Sequence, residues 1–361
     1  MAEDPVDYAR ILQLLRTRGL SIRSLDEPTR RALRSYLVRT HFEEGLSLSD
    51  LAKRIGNKTS GYTSWLCKEL GDKARPFEEA RLKGIREKRR KYERRPFDGT
   101  DEDKAYLLGL RHGDLSVSRP WKGVVRVSNS TTHPAMVELF RGLFEKCGHV
   151  YQFPRYKKEV DAYEWNVQVN LDDSFSLLLM SFEEARPWFE EKKERAIAYF
   201  SGFLDAEGSV LVTKNTRGKA VVFVDYFNQN RTLLEWIALQ AKRMGIGGSL
   251  RINKPVGQGK TGYHLFNNKD YWQLSLFGAH MILNFLRELK LRHREKLSKR
   301  AVALSLLPGE RYAEIDSKVV QIRMGIKREV KEFVDEAKSQ YLSKHPQFFP
   351  PVRSGQVPTA G

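Results

Sequence analysis

The sequence predicts an α+β protein in which two αββαββα repeats, related by pseudo-two-fold symmetry, follow an N-terminal helical domain. Three observations lead to this fold class. A short stretch occurs twice in the chain, the same order of helical and strand-like segments follows each copy, and residues 1–95 show only helical periodicity. Internal repeats constrain the fold most strongly, because each copy builds one supersecondary unit.

The repeated stretch begins at Tyr106 and again at Tyr199, 93 positions later. The same offset pairs Gly109 with Gly202, Gly113 with Ala206, Asp114 with Glu207, and Ser116 with Ser209. Residues four apart share one face of a helix. Because glycine costs about 1 kcal/mol relative to alanine inside a helix, we expect these small residues to allow close packing of two helices. The predicted contact residues are Gly109, Gly113, Gly202 and Ala206.

Each motif helix ends in an acid, Asp114 in the first copy and Glu207 in the second. A carboxylate at a helix C-terminus opposes the helix dipole. Two such groups brought together by paired helices would also repel each other. We therefore expect a divalent cation to bind between Asp114 and Glu207.

The charge of the chain predicts a polyanionic partner. The formal net charge is +18 and the isoelectric point is about 9.7. Nucleic acid is the usual partner of such a protein, although a generally basic proteome gives the same excess. An aromatic content of 11% and clear periodicity disfavour a disordered basic tail.

Composition also predicts the compartment. Cys67 and Cys147 are the two cysteines, too few for a disulfide framework or a cysteine-based zinc site, which favours a reducing environment. No apolar run approaches the roughly 18 residues of a membrane span, and residues 1–5 do not resemble a secretory signal. We expect a cytoplasmic, nucleoid-associated protein without a membrane partner.

Residues 1–95 are predicted to form a helical domain with helices at 7–15, 28–41, 46–56 and 60–71. The last two helices resemble a helix-turn-helix that binds DNA, and an ordinary small helical bundle is the alternative. The charged run at 81–95 is typical of a solvated helix or linker. A turn at 96–99 predicts the domain boundary.

The first repeat is predicted over residues 100–195. Its motif helix precedes strands at 116–118 and 123–128, a helix at 135–147, strands at 149–156 and 162–171, and a helix at 174–182. The second repeat, 196–305, has strands at 209–213 and 220–227, a helix at 232–244, strands at 248–253 and 263–276, and a helix at 279–289. A helical extension at 306–345 and a disordered tail at 346–361 are expected to follow.

The paired motif, the two αββαββα halves and the acid at the end of each motif helix resemble the LAGLIDADG (dodecapeptide) homing endonuclease family in its single-chain, two-repeat form. The resemblance covers about residues 103–305, and the second copy is the closer match. In the first copy Leu115 replaces the glycine after the acid, and His112 replaces the acid at the sixth position.

The resemblance implies a monomer with an internal pseudo-dimer, in which two saddle-like sheets straddle double-stranded DNA. It implies that Asp114 and Glu207 bind Mg²⁺ (or Mn²⁺) and that the protein cuts both strands of a specific site. It also implies a polar residue near the end of the second strand, assigned to Gln229 beside Asn228, with Thr132 near Asn129 as the counterpart.

The resemblance further implies a basic residue in the site after the last helix of the repeat. Arg292 is the best positional match and Lys290 the next, while Lys192 or Lys193 would be the counterpart in the first half. An exposed helix end is the alternative reading for each of these residues.

Polar and basic residues of the predicted sheets are candidates for reading DNA, because arginine pairs with guanine, and glutamine or asparagine with adenine. The alternative is a solvated sheet face. The candidates are Arg126, Ser128, Trp165, Gln168, Lys214, Arg217, Lys219, Arg251, Asn253 and Lys254.

Three functions are compatible with these patterns. The first is a metal-dependent, site-specific DNA endonuclease, encoded in an intron or free-standing. The second is a transcription regulator that binds DNA on a LAGLIDADG scaffold without cutting it. The third is an intron maturase that binds intron RNA on the same basic surface.

Overall fold

A computed structural model of the chain describes residues 26–44, 46, 50, 92–257 and 268–345. The chain divides into two compact units, 1–91 and 92–361. The predicted helices at 7–15, 46–56 and 60–71, and with them the helix-turn-helix, lie outside the described residues apart from two isolated positions. Most of the charged run at 81–95 and the tail at 346–361 also lie outside them.

The described part of the first unit contains helix α1, Glu27–Val38. The Asp26 side chain caps this helix by accepting a hydrogen bond from the Thr29 backbone nitrogen at 2.8 Å. A π-helical turn, Arg39–Glu43, follows. The two elements cover the helix predicted at 28–41.

The first repeat begins with motif helix α2, Asp101–Gly113. The elements that follow are β1 Ser116–Trp121, β2 Val124–Thr131, α3 Pro134–Phe144, β3 Val150–Lys157, β4 Ala162–Asp172, a 3-10 helix Asp173–Leu179, and α4 Phe182–Glu190. The second repeat begins with motif helix α5, Lys193–Glu207. Its elements are β5 Gly208–Lys214, β6 Ala220–Asn228, α6 Arg231–Arg243, β7 Gly247–Lys254, β8 Tyr271–Phe277, α7 Ala279–Glu288 and α8 Arg294–Leu304. Helix α9, Tyr312–Lys344, completes the described chain.

Each repeat forms an antiparallel four-stranded sheet. The strand orders are β1-β2-β4-β3 and β5-β6-β8-β7, so both sheets have the same topology. Ser116 pairs with Ser128 in the first sheet, and Ser209 pairs with Asp225 in the second. Because Ser116 and Ser209 are equivalent in the repeated motif, this register relates the two sheets residue by residue.

Strand alternation gives each sheet one core face and one open face. In the first sheet Val125, Val127, Val167 and Val169 are all fully buried on the core face. The residues between them, such as Ser128 and Gln168, lie on the opposite side, which we call the open face. In the second sheet the core face carries Val210, Val224, Tyr226, Leu274 and Leu276.

The two motif helices pack backbone against backbone, as the small residues predict. A Cβ on Gly109 would overlap the carbonyl oxygen of Tyr199, and one on Gly202 would overlap that of Tyr106. Further along, a Cβ on Gly113 would overlap that of Ala206. Both helices therefore run in the same direction and end side by side.

The structure corrects the end of the first repeat. The predicted helix at 174–182 is a 3-10 helix that ends at Leu179, and a separate α-helix, α4, starts at Phe182. Ser181 caps α4 in a capping box with Glu184. The last strand of the second sheet begins at Tyr271 rather than at 263, although residues 258–267 lie outside the described part. Within that part, no helix is long and apolar enough to cross a membrane.

Candidate active site

Asp114 and Glu207 lie together at the ends of the paired motif helices. Asp114 follows the last residue of α2 as its C-cap, and Glu207 is the last residue of α5. A Cβ on Gly113 would lie 3.0 Å from Cγ of Glu207, so Glu207 reaches to the residue before Asp114. Asp114 is exposed and Glu207 is partly buried.

The surroundings of Asp114 and Glu207 disfavour the ionised form of both carboxyl groups. Loss of hydration raises the pKa of Glu207 to about 7, and the nearby charge of Asp114 contributes to this increase. Loss of hydration also raises the pKa of Asp114, although part of this residue is exposed to solvent. The fold thus holds together two acids that repel each other when both are ionised.

Tyr271 and Lys296 partly offset this repulsion. The Tyr271 hydroxyl donates a hydrogen bond to Oε2 of Glu207 at 2.8 Å. The Lys296 ammonium group donates to the carbonyl oxygen of Gly208, the residue after Glu207. Burial lowers the pKa of Lys296 to about 8, against the opposing effect of the carboxylates of Asp205, Glu295 and Asp114. Its positive charge in turn lowers the pKa of both site acids.

Lys296 therefore occupies the position that the sequence interpretation assigned to Arg292 or Lys290. The Arg292 guanidinium pairs with Asp103 at 2.5 Å and lies 4.3 Å from the Tyr106 ring centroid, near the start of α2 rather than its end. Lys290 is exposed, and its backbone nitrogen donates to Oγ of Ser201 at 2.9 Å. The difference arises because helix α8, which begins at Arg294, presents its third residue to the acids.

Gln229 is exposed just beyond the end of β6. Its neighbour Asn228 contacts the end of α2, since its side-chain amide donates to the carbonyl oxygen of His112 at 3.3 Å. In the first sheet, the buried Asn129 donates to the carbonyl oxygen of Asp114 at 3.0 Å. Asparagine side chains from both sheets, rather than Gln229, thus support the end of α2.

His112, one departure in the first motif, preserves a symmetric contact. Tyr106 donates from its hydroxyl to Oδ2 of Asp205 at 2.6 Å, and 93 residues later Tyr199 contacts Nδ1 of His112 at 2.9 Å. Nε2 of His112 lies 3.1 Å from the carbonyl oxygen of Met180. Nε2 therefore carries the proton, and Nδ1 accepts from Tyr199. Burial lowers the pKa of His112, so a neutral imidazole links the helices here.

Leu115, which replaces the glycine after the acid in the first motif, is accommodated because helix α2 ends before it. A Cβ on Gly208, its counterpart, would lie 2.9 Å from Cα of Leu204, because α5 continues through Glu207. Helix α2 ends one position earlier in the motif, at Gly113, and Leu115 buries its side chain to 3% exposure. Asp114 thereby stays beside Glu207 despite the loss of the glycine.

The donor groups of this site fit a hard divalent cation. Mg²⁺ is commonly held by one or two carboxylates, with water and phosphate oxygens completing the octahedron. Asp114 and Glu207 supply such a pair. No group of three or more His, Cys, Asp or Glu residues in the described ranges could hold a metal ion, so the site does not have the ligand set of structural zinc.

Comparison with known proteins identifies the second repeat. Residues 194–290 match the family model described as a LAGLIDADG-like domain. The second repeat is a LAGLIDADG-like domain. The first repeat shares its element order, strand pairing and helix contacts, so the chain contains two units of this architecture.

Similarity to individual proteins is more distant. An uncharacterized protein of Methanocaldococcus jannaschii is 25% identical over 176 residues, which are 45% of this chain and 61% of that protein. The match thus spans less than two thirds of the relative. Among solved structures, I-DmoI in complex with DNA and Ca is 17% identical with a TM-score of 0.35, covering 54% of this chain and 91% of that one. The N-terminal LAGLIDADG domain of WhiA is 13% identical with a TM-score of 0.34, covering 55% and 86%.

The two repeats place several candidate DNA-reading residues on their open faces. In the first sheet these are Arg126, Ser128 and Gln168, and Nε of Arg126 donates to Oδ1 of Asn170 at 3.1 Å. In the second sheet Arg251 donates to Oε1 of Gln273 at 3.2 Å. Asn253 lies at an irregularity in β7, after which Lys254 pairs with Tyr271.

The remaining candidates lie elsewhere. Trp165 is on the core face, is 3% exposed, and donates from Nε1 to the carbonyl oxygen of Phe333 at 2.9 Å. Trp165 and Gln168 are three positions apart, so strand alternation prevents them from sharing a face. Lys214 lies two residues after Val212 and four after Val210 in β5. Strand alternation therefore places it on the core face and not on the open face. Arg217 and Lys219 lie in the β5–β6 turn, where Lys219 forms a backbone bridge with Arg311.

Proposed function

We propose that this protein is a site-specific endonuclease that hydrolyses both strands of double-stranded DNA with a divalent metal ion, Mg²⁺ or Mn²⁺. One observation carries the proposal: the fold brings together Asp114 and Glu207, one from each repeat, at a position where both acids have a raised pKa. Structural stability alone does not favour such a pair. The net charge of +18 supports a nucleic acid substrate.

Each residue around the acids has a definable role in this proposal. Asp114 and Glu207 would hold the cation, which when bound neutralises phosphate charge and activates water. Tyr271 fixes the orientation of Glu207 through its hydrogen bond. Lys296 places a positive charge beside the same acids, where it would stabilise the charge that develops on the scissile phosphate.

Cleavage of the DNA locus that encodes the protein tests the proposal. The full-length protein is incubated with Mg²⁺ and a plasmid carrying that locus, with and without any intervening sequence. We expect cutting of the uninterrupted DNA, loss of cutting in Asp114→Asn and Glu207→Gln, and retained DNA binding in both variants. Glu159→Gln, an exposed acid in the turn between β3 and β4, is the control and should cut normally.

The alternatives predict other outcomes of the same assay. Tight binding of the locus without any cleavage, unchanged by Glu207→Gln, would refute the nuclease and favour a non-cleaving regulator. Preference for the intron transcript over the DNA locus would favour a maturase.

Replacing the lysine of the site tests its assigned role. We expect Lys296→Met to slow cleavage by about 100-fold, because a preorganised positive charge next to the phosphate is lost. DNA affinity should change little, since one buried charge contributes little to a long interface. Lys318→Met, at an exposed position of α9, is the matched control. An equal effect of both variants would refute a specific role for Lys296.

A further inference from the structure

Two aromatic side chains are exposed on the edge strand of the first sheet. Strand β3 is the outer strand in the order β1-β2-β4-β3. On its open face Tyr151 is 39% exposed and Phe153 is 41% exposed. Arg155, also exposed, continues the same row. Alternate residues of a strand lie roughly 7 Å apart, so the row presents two rings and a cation at regular spacing.

The Tyr151 ring is held in place by its neighbours. The ring of His149 meets it edge-on with centroids 4.6 Å apart. His149 is stacked on Tyr92 with centroids 3.7 Å apart. These contacts already restrict rotation of the Tyr151 side chain, so less conformational entropy is lost when a ligand binds to it.

Amide side chains lie beside both aromatic residues on the neighbouring strand. Tyr151 is opposite Gln168, and Phe153 is opposite Asn166. Each amide can donate and accept hydrogen bonds, which suits the edge of a nucleobase whose face is stacked on the adjacent ring. Aromatic residues and amides on the open face of a four-stranded sheet are a known way to bind unpaired bases.

The second sheet lacks this row at the equivalent positions. The register that aligns Ser128 with Asp225 also aligns Tyr151 with Ser249 and Phe153 with Arg251. Arg251 is anchored there by Gln273. The open faces of the two sheets thus differ in chemistry, although they share a topology.

We propose that the open face of the first sheet binds single-stranded nucleic acid, with unpaired bases stacked on Tyr151 and Phe153. In duplex DNA base faces are covered by their neighbours, so a duplex cannot use these rings for stacking. Arg155 and Arg126, on the same face, supply charge for the phosphates. This binding is independent of strand cleavage.

Binding measurements on the full-length protein test the proposal. Fluorescence anisotropy compares a labelled single strand with the duplex of the same length, and uridine oligomers with deoxyuridine oligomers show whether the 2′-hydroxyl is recognised. The aromatic row is replaced by Tyr151→Leu with Phe153→Leu, which keeps apolar volume but removes the π faces. We expect these changes to weaken single-strand binding by about 10-fold or more, with duplex binding changed by less than about twofold.

The anchored arginine of the second sheet provides the matched control. Arg251→Ala should weaken duplex binding and leave single-strand binding unchanged. Quenching of 2-aminopurine in the single strand, lost in the double variant, would report stacking directly. The proposal is overturned if the unsubstituted protein does not bind the single strand. It is also overturned if the double leucine variant loses duplex and single-strand affinity equally, which would indicate contact with thymine methyl groups instead. Neither outcome depends on cleavage, so failure here is distinct from failure of the nuclease.

Discussion

Glu207 illustrates how the fold determines the chemistry of a single residue. Its carboxylate is partly buried beside Asp114, and Tyr271 and Lys296 contribute stabilisation that does not fully offset the desolvation. An ordinary glutamate at a helix end would titrate near its usual value of 4.5. Here ionisation is delayed to about pH 7 unless a cation binds.

This shift predicts how stability depends on pH in the metal-free protein. Native Glu207 keeps its proton up to about pH 7, whereas in the unfolded chain it loses the proton near pH 4.5. The native state therefore binds more protons in this window, and the free energy of unfolding falls as the pH rises from about 4.5 to 7. The loss is up to about 3 kcal/mol.

Thermal melting in EDTA across this pH range measures the effect. Glu207→Gln should show a flatter profile, and Mg²⁺ should raise Tm more at pH 8 than at pH 5, since the ionised form binds the cation. A profile of equal slope in Glu207→Gln would contradict the assignment.

At the scale of elements, the paired motif helices carry the site, and they are not equivalent at their ends. Helices α4 and α8 are each the second helical element after the last strand of their repeat, and they differ at their third residue. In α8 this residue is Lys296, which reaches the acids. In α4 it is Glu184, which accepts a hydrogen bond from the backbone nitrogen of Ser181 at 2.7 Å and caps its own helix. The lysine that we assign to the site therefore comes from the second repeat.

The close contact of the motif helices predicts opposite effects for two similar glycine substitutions. Gly109→Ala would place a methyl group on the carbonyl oxygen of Tyr199 and 2.8 Å from the backbone nitrogen of Phe203, so the helices must separate. We expect a loss of roughly 1–3 kcal/mol or more. Gly142→Ala, inside helix α3 with nothing within 4 Å, should instead stabilise the protein by about 1 kcal/mol.

Denaturant unfolding of both variants checks this prediction. Destabilisation by both substitutions to the same degree would refute the interface argument, because helix propensity alone favours alanine at each position.

At the scale of the whole second unit, helix α9 connects the two repeats. It packs against β3 and β4 of the first sheet and against β5 of the second. Phe333 covers Trp165, and Arg294 of α8 joins Glu329 of α9 at 2.9 Å and Glu138 of the first repeat at 3.0 Å. These contacts lie on the core side of the first sheet, so the open face is left uncovered by α9.

The two sides of the sheets predict different salt dependence of DNA binding. Arg126→Ala removes a cation from the open face, so we expect weaker binding and a shallower dependence of log K on log salt concentration, by about one unit of slope if Arg126 contacts a phosphate. Lys214→Ala, on the other side by strand alternation, should change the slope less. Titrations at several salt concentrations measure both variants, and an equal change would show that Lys214 also contacts DNA.

Several features of the fold and the site could be predicted from sequence because they depend on local patterns. The repeat, the element order, the small residues of the motif helices and the two acids are all readable from spacing. Helical and strand periodicities act over a few residues, and they identify which residues share a face. The end of the first repeat was less predictable, since a 3-10 helix and the short α4 are set by one capping serine.

Which side chains surround the acids was decided by the tertiary structure. Lys296 and Tyr271 follow Glu207 by 89 and 64 residues, and they come close to it because α8 packs on β5, the strand that follows Glu207, and because β8 pairs with β6. No local pattern distinguishes Lys296 from Arg292, since helix start and direction determine which one points inward. By itself, therefore, the sequence determined that the chain has two α+β repeats and that the motif helix of each repeat ends at an acidic residue. The tertiary structure decided which charges meet there, because long-range packing sets those distances.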